Sequence, residues 1–328
     1  MNIFEDLGLP ANHRSDKKVT QLVKHFDEVT EKNKADKTFG VQTKKDGVCA
    51  LFVVYSGMCG IYSRTGKRFT NVGQLESDMS DMYLVEGVYM GELYVPKSVA
   101  SLEALSGIVN PNRVNPISAD QTVIASELRF AMFDFVGLDD FKRGNSSLRF
   151  YQRFNNLKEI LRNRPAMAQL SLLSYKTLIT EGAIDKELEK QVQLGEEGIV
   201  IRDLDAGWVA GHKGYRVMKK VRGVDYDLRC IGFEEGTGKY AGKVANLIFD
   251  WKGGKTIKCM LGKGWTHGMA KHMFKALTVS NFSWDDCQDS PIGRIFQVYA
   301  LEESSKGKLR LPKVGELRHD KDYSDLEN

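Results

Sequence analysis

The chain has 328 residues, 42% apolar and 27% charged, values near globular averages that exclude wholesale disorder and leave room for two ordinary cores. No run approaches the roughly 20 apolar residues that span a bilayer, and residues 1–16 lack a basic-then-apolar export signal, so a soluble cytoplasmic protein is expected. The net charge of +4 divides evenly, with 30 basic against 28 acidic residues up to Val221 and 17 against 15 after it, which excludes bulk charge as the source of any phosphate-binding surface and requires local clusters instead.

Over residues 16–35, Val19, Leu22, Val23, Phe26 and Val29 recur at helical spacing behind a serine–aspartate start signal, which predicts an amphipathic helix. Residues 39–62 change to short Val, Phe and Tyr runs broken by Asp46-Gly47 and Ser56-Gly57, the pattern of antiparallel strands and tight turns. Strands follow over 83–95 and 127–136, with Pro111, Asn112, Asn115 and Pro116 marking an irregular loop between them. Helical spacing returns over 148–162 and 185–193, and 198–202 reads as a strand. Strand clusters with helices beside them predict an α+β domain with a mostly antiparallel sheet. Beyond Asp227, strands over 228–233, 244–251, 256–260 and 295–300 with one helix over 269–276 fit a Greek-key barrel of the OB type. The expected domains are residues 1–221 and 222–328, with the acidic end 320–328 frayed. Cys49, Cys59, Cys230, Cys259 and Cys287 form no Cys-x-x-Cys pair, so neither a zinc site nor a disulfide framework is expected.

Thr43-Lys44-Lys45-Asp46-Gly47 places lysines at a strand end before a tight turn. A lysine turns nucleophilic when burial or neighbouring cations lower its pKa, although the same residues alone also describe an exposed hairpin turn. Glu92, in Tyr89-Met90-Gly91-Glu92-Leu93, and Glu197, in Glu196-Glu197-Gly198-Ile199-Val200-Ile201-Arg202, put carboxylates beside apolar strands, where each needs a partner, in an ion pair or at Mg²⁺. Basic groups recur at Arg216, Lys219 and Lys220 and again at Arg318-His319-Asp320-Lys321. Together these describe metal-assisted phosphate chemistry.

In order, Lys44-x-Asp46-Gly47, Ser63-Arg64-Thr65-Gly66, Gly91-Glu92-Leu93, Phe133-Asp134, Glu197-Gly198, Lys219/Lys220 and Arg318-x-Asp320-Lys321 resemble the ordered motifs of the covalent nucleotidyltransferases. Within that superfamily the chain most resembles the compact, bacteriophage-type ATP-dependent DNA ligases, and the segment from Met260 to Thr266 is similar to one in their barrel domains. The resemblance implies a nucleotidyltransferase (adenylation) domain with antiparallel sheets and flanking helices followed by an OB-fold barrel, with a hinge near residues 221–226. It implies ATP with Mg²⁺ or Mn²⁺ as cofactors and nicked duplex DNA as partner, in a monomer serving DNA repair, replication or recombination, in the host cytoplasm if phage-encoded.

By the same resemblance Lys44, with Asp46 counted among the catalytic residues, carries AMP as a phosphoramide; Glu92 contacts the ribose or orders the metal, and Glu197 is the stronger candidate for the Mg²⁺ ligand. Phe133, with Phe130 as fallback, stacks on adenine, and Gln42 or the Thr43 backbone meets the adenine edge. Arg64 engages the ribose or the 5′-phosphate, Lys219 and Lys220 the α-phosphate, and Arg318, Asp320 and Lys321 the leaving pyrophosphate. Three positions depart from the pattern: Cys49 stands where an arginine is common, Met90 where an acid is common, and the Lys219/Lys220 group lacks Lys-x-Lys spacing. The alternatives are an RNA ligase, a GTP-using capping enzyme, or a non-catalytic OB-fold protein stacking bases on Trp251, Trp265 and Trp284.

Overall fold

The computed structural model describes residues 2–14, 19–262, 264–278, 290–300, 303 and 307–327. It contains two compact units, Met1–Val221 and Arg222–Asn328. Two five-stranded sheets build the first. One runs in the order Leu22–His25, Lys213–Val221, Gly198–Asp203, Phe39–Lys44, Lys176–Leu178, and the other Met58–Ser63, Val48–Tyr55, Gly87–Tyr94, Arg129–Val136, Leu170–Leu172. Most pairings are antiparallel, as an α+β pattern requires.

The strand Val48–Tyr55 is nearly continuous in apolar residues because both of its faces are covered. Ala50 and Phe52 join Tyr89, Phe130 and Leu157 in one core, while Leu51 and Val53 join Ile3, Phe4 and Trp208 in another. In the first sheet Phe39, Val41, Ile199, Ile201 and Met218 pack with Ile184 of the helix Glu181–Gln193. Side chains alternate along a strand, so Gln42, Lys44, Val200, Arg202 and Lys219 fall on the opposite face.

The amphipathic helix expected over residues 16–35 does not form over the described part. Leu22–His25 is a strand paired in parallel with Lys213–Val221, followed by single turns at Phe26–Glu28 and Glu31–Lys34. Burial alternates with period two through the strand, and only Phe26 and Val29 enter the core from the turn that follows. The apparent helical period was thus a strand run joined to one tight turn. Residues 15–18, which carry the start signal, lie outside the described residues.

The second unit is a closed barrel in the order Val224–Glu235, Val244–Trp251, Lys255–Leu261, Lys313–Leu317, Ile295–Ala300, the five-stranded architecture of the OB class. The helix His267–Thr278 packs Met273, Phe274 and Leu277 against its core. Trp251 is buried and donates to the Gly307 carbonyl at 2.7 Å, and Trp265 packs on the same core and donates to Gly315 at 2.9 Å. Trp251 is thus structural, whereas Trp265 is half-buried and also lines a cavity of about 390 Å³; Trp284, like Lys263 and Cys287, lies outside the described residues. The acidic end is docked up to Glu327, contrary to the expected fraying. Asp325 accepts from the Asp227 N–H at 2.7 Å, and Glu327 pairs with Arg229. Among the described residues no helix is long and apolar enough to cross a membrane.

Candidate active site

Within the first unit, a cavity of about 300 Å³ lies against the open faces of both sheets. Thr43, Lys44, Arg64, Glu92, Phe133 and Lys219 line it. Lys44 ends its strand opposite Gly198. Its ammonium is bonded to the carboxylate of the adjacent Glu197, and the two side chains keep only 20% and 10% of their exposure. Lys45 makes the equivalent pair with Glu196.

The glycines of two motifs are there for closeness. A Cβ on Gly47 would lie 2.5 Å from the Leu93 carbonyl and 2.8 Å from Glu92, so the turn after Lys44 can fold onto the Glu92 strand only without one. A Cβ on Gly198 would lie 2.4 Å from the Lys220 carbonyl, so this glycine lets the Glu197 strand approach the Lys219 strand.

Phe133 owes its aim to a break in register. Met90 pairs with Asp134 and Gly91 with Met132, which leaves Phe133 as the extra residue of a bulge, a device that redirects a side chain. Phe130, the fallback, is fully buried in the core and does not line the cavity. Behind Phe133, the Arg202 guanidinium lies 4.6 Å from its ring centroid. Arg202 donates to Gln42 Oε1 at 2.6 Å and lies 3.9 Å from Asp134. Arg153 grips Asp134 through two hydrogen bonds of 2.9 Å each.

Burial dominates the electrostatics. It pushes the Glu92 carboxyl up to about 8 from its ordinary 4.5; Lys44 pulls down, while Glu197 and Asp46 push further up. The Cys49 thiol is pushed up to about 12, first by burial and then by Glu92, so it is no thiolate nucleophile at neutral pH. Lys219 is lowered, first by burial and then by the neighbouring Lys44 charge.

Because the folded protein holds the Glu92 proton more tightly than the unfolded chain, this group's contribution to stability is complete below about pH 4.5 and is lost as pH rises towards about 8. In nucleotide- and metal-free protein we therefore expect Tm to fall across that window, and Glu92→Gln to flatten the fall. Melting curves at several pH values check this, and an unchanged slope in the variant would contradict it.

Two carboxylates suit Mg²⁺, which takes one or two from protein and completes its shell with phosphate oxygens and water. Among the described residues no group of three or more His, Cys, Asp or Glu could hold a metal unaided.

Two residues expected at the site are not brought to it. Gln42 is 2% exposed, with Nε2 donating to the carbonyls of Leu173 at 2.7 Å and Phe133 at 3.4 Å and Oε1 accepting from Arg202; it braces the wall from behind. Lys220 lies on the opposite strand face from Lys219, paired with Asp185 and 3.6 Å from Asp27. Thr43 likewise turns its hydroxyl away, to Gln191 at 3.0 Å, which leaves its backbone for the cavity. Gln21, Arg202 and Trp208 also line the cavity, and no motif in the sequence marks them. In the second unit Arg318 donates to Asp227 at 2.6 Å and clasps Asp320 with bonds of 2.9 and 2.7 Å, and Lys321 also pairs with Asp227. The Asp320 carboxyl is held down to about 2, chiefly by its hydrogen bond from Arg318.

The model of the ATP dependent DNA ligase domain matches residues 19–221, and that of the DNA ligase OB-like domain matches residues 235–318. The chain is 31% identical over 102 residues to a probable DNA ligase of Streptomyces griseus subsp. griseus, covering 31% of this chain and 18% of that protein. It is 26% identical over 220 residues to a probable DNA ligase of Streptomyces avermitilis, covering 67% of this chain and 38% of that protein. The chain thus spans well under two thirds of the length of these curated relatives. Among solved structures it is similar to the chain named Pmar-Lig_Pre, with 17% identity and a TM-score of 0.74 over 93% of this chain and 69% of that one. It is also similar to a chain from a study of Lig E DNA ligases, with 17% identity and a TM-score of 0.62 over 91% and 98% of the two chains. Both structural likenesses lie in the fold.

Proposed function

The chain belongs to the ATP-dependent DNA ligase family, and on that premise we propose that it seals 3′-hydroxyl/5′-phosphate nicks in duplex DNA through a lysyl-AMP intermediate. The observation that carries this reading is one amine, Lys44, ion-paired to Glu197 in a cavity that also takes in Glu92, Arg64, Phe133 and Lys219. Lys44 attacks the α-phosphorus of ATP and pyrophosphate leaves; AMP then passes to the 5′-phosphate at the nick, and the 3′-hydroxyl displaces it. Such transfers depend on positioning and on neutralising developing charge more than on acid or base groups.

Phe133, backed by Arg202, stacks on the base, and the Thr43 backbone borders it. Lys219 meets the α-phosphate, and Arg64 the ribose or the 5′-phosphate. Glu92 and Glu197 hold Mg²⁺ or Mn²⁺, which when bound neutralises phosphate charge. Asp46 borders this carboxylate pair as a further negative charge. Arg318, Asp320 and Lys321 serve the charging step. With Cys49 in place of an arginine, the 5′-phosphate contact rests more heavily on Arg64. Duplex binding rests on phosphate contacts and weakens with salt. The protein works in the cytoplasm, as a monomer.

The test is sealing of singly nicked DNA, RNA and hybrid duplexes with ATP or GTP. Sealing of DNA with ATP is expected. Covalent label from GTP but not ATP would contradict the reading in favour of a capping enzyme. In the same assay Lys219→Ala should lose roughly 10²-fold in rate, the scale for removing one charge-stabilising donor. Lys220→Ala, on the other face, should stay within about threefold.

A further inference from the structure

The adenine edge needs a reader, and Gln42 cannot be it, since all of its amide is engaged behind the cavity wall. Gln21 lines the same cavity, and its Nε2 is buried with no hydrogen-bond partner among the described residues. Buried amide donors are nearly always paired, so an unpaired one on a residue that lines a cavity points to an acceptor that a ligand brings, met once the amide turns towards it. Trp208, on the same cavity, also has a buried Nε1 with no acceptor among the described residues. The backbone holds Gln21 in place from both sides: Gly211 N–H donates to the Thr20 carbonyl at 3.0 Å and Leu22 N–H to the His212 carbonyl at 2.9 Å. Thr20 also donates to Met90 Sδ at 3.7 Å, which ties this segment to the other sheet. The backbone at Gln21 is therefore fixed, which sets the point from which its amide reaches the cavity.

We propose that Gln21 is the specificity-determining residue for the nucleotide base, its amide donating to a ring nitrogen of adenine and accepting from the 6-amino group. This rests on the reading of the cavity as an ATP site. A glutamine amide is matched to adenine in this way, one donor and one acceptor side by side. On the edge that carries N7, guanine presents two acceptors in the same places, so one end of the amide then faces a like group. A purine without the 6-amino group leaves the amide oxygen unmet.

The test compares ATP, GTP and purine riboside 5′-triphosphate, which lacks the 6-amino group, in two readouts: the rate of lysyl-nucleotide formation against concentration, and equilibrium binding to Lys44→Ala protein, where no bond forms. In the otherwise unaltered chain ATP should be preferred over the 6-desamino nucleotide by about tenfold or more, the scale of one bidentate base contact. Gln21→Leu should cut that preference to within about threefold, with the loss falling on KM and on the binding constant. Should Gln21→Leu melt early, Gln21→Asn, which shortens the reach by one methylene, is held to the same criterion. A preference for ATP that survives in the folded variants overturns the assignment of Gln21 and leaves the ATP site standing. A native chain that takes label from none of the three overturns both.

Discussion

Lys44→Ala should take no covalent label from ATP and should fail to seal nicks, a loss beyond about 10³-fold, while still binding nicked duplex. Where a covalent intermediate forms on one atom, deleting that atom removes the step rather than slowing it. The substitution also strips Glu197 of its partner in a setting where the carboxylate keeps only 10% of its exposure. Part of any melting-temperature fall therefore reports a stranded charge. Lys44→Arg separates the two effects. A guanidinium keeps the ion pair but does not release a proton at working pH, so stability should return and labelling should not. On DNA already carrying AMP at its 5′ end, Lys44→Ala bypasses the missing step and should regain sealing. A gel of labelled protein beside a duplex-shift assay reads all of this, and label retained by Lys44→Ala would refute the assignment.

The second large effect is on stability. Asp134 and Arg153 are 1% and 2% exposed and joined by two bonds of 2.9 Å. Arg153 also donates to the carbonyls of Leu148 at 2.6 Å and Ala206 at 3.3 Å, so its charge is well partnered in a dry place. Arg153→Met leaves Asp134 with the Phe135 N–H at 2.9 Å and Arg202 at 3.9 Å. Breaking one side of a buried pair costs about 3–5 kcal/mol, a Tm fall on the order of 10 °C for a unit of this size. Arg153→Met with Asp134→Leu should recover much of that loss, because removing both charges leaves nothing unpaired. Equal melting temperatures for Arg153→Met and the native chain would contradict the buried-pair account. Asp134 adjoins Phe133, and Arg202 lies behind that ring, so the single variant should also raise KM for ATP.

Much of the molecule is legible in the sequence. Asp46-Gly47 and Ser56-Gly57 mark turns between strands that form as read, and the strands Val244–Trp251 and Ile295–Ala300 fall where residue alternation and apolar runs put them. The helix Phe150–Arg162 was readable because Phe150, Phe154 and Leu157 keep one face buried through three turns. The short helices Gly73–Ser80, Leu102–Ile108 and Ala119–Ser126 were not, since each spans about two turns and buries two side chains at most. The strand Lys213–Val221 was hidden by its charge: Lys219 and Lys220 read as one basic group, although a strand sends neighbours to opposite faces.

The site divides the same way. Lys44, Glu92 and Glu197 are visible as chemistry-bearing residues at strand ends and edges. The aim of Phe133 depends on a bulge, and the diversion of Gln42 on contacts with Arg202, Phe133 and Leu173, the first of them 160 residues away in sequence. Neither long-range register nor competition for one amide leaves a local signal, and Gln21 carries none for the same reason.

Mass spectrometry of the native chain after incubation with ATP and Mg²⁺, first intact and then as peptides, tests the central claim most directly. The account predicts a mass gain of one AMP, borne on the peptide that contains Lys44 and localised to that residue. An adduct on Lys45, Lys219 or any other side chain, or none in protein that is folded and binds ATP, would contradict it.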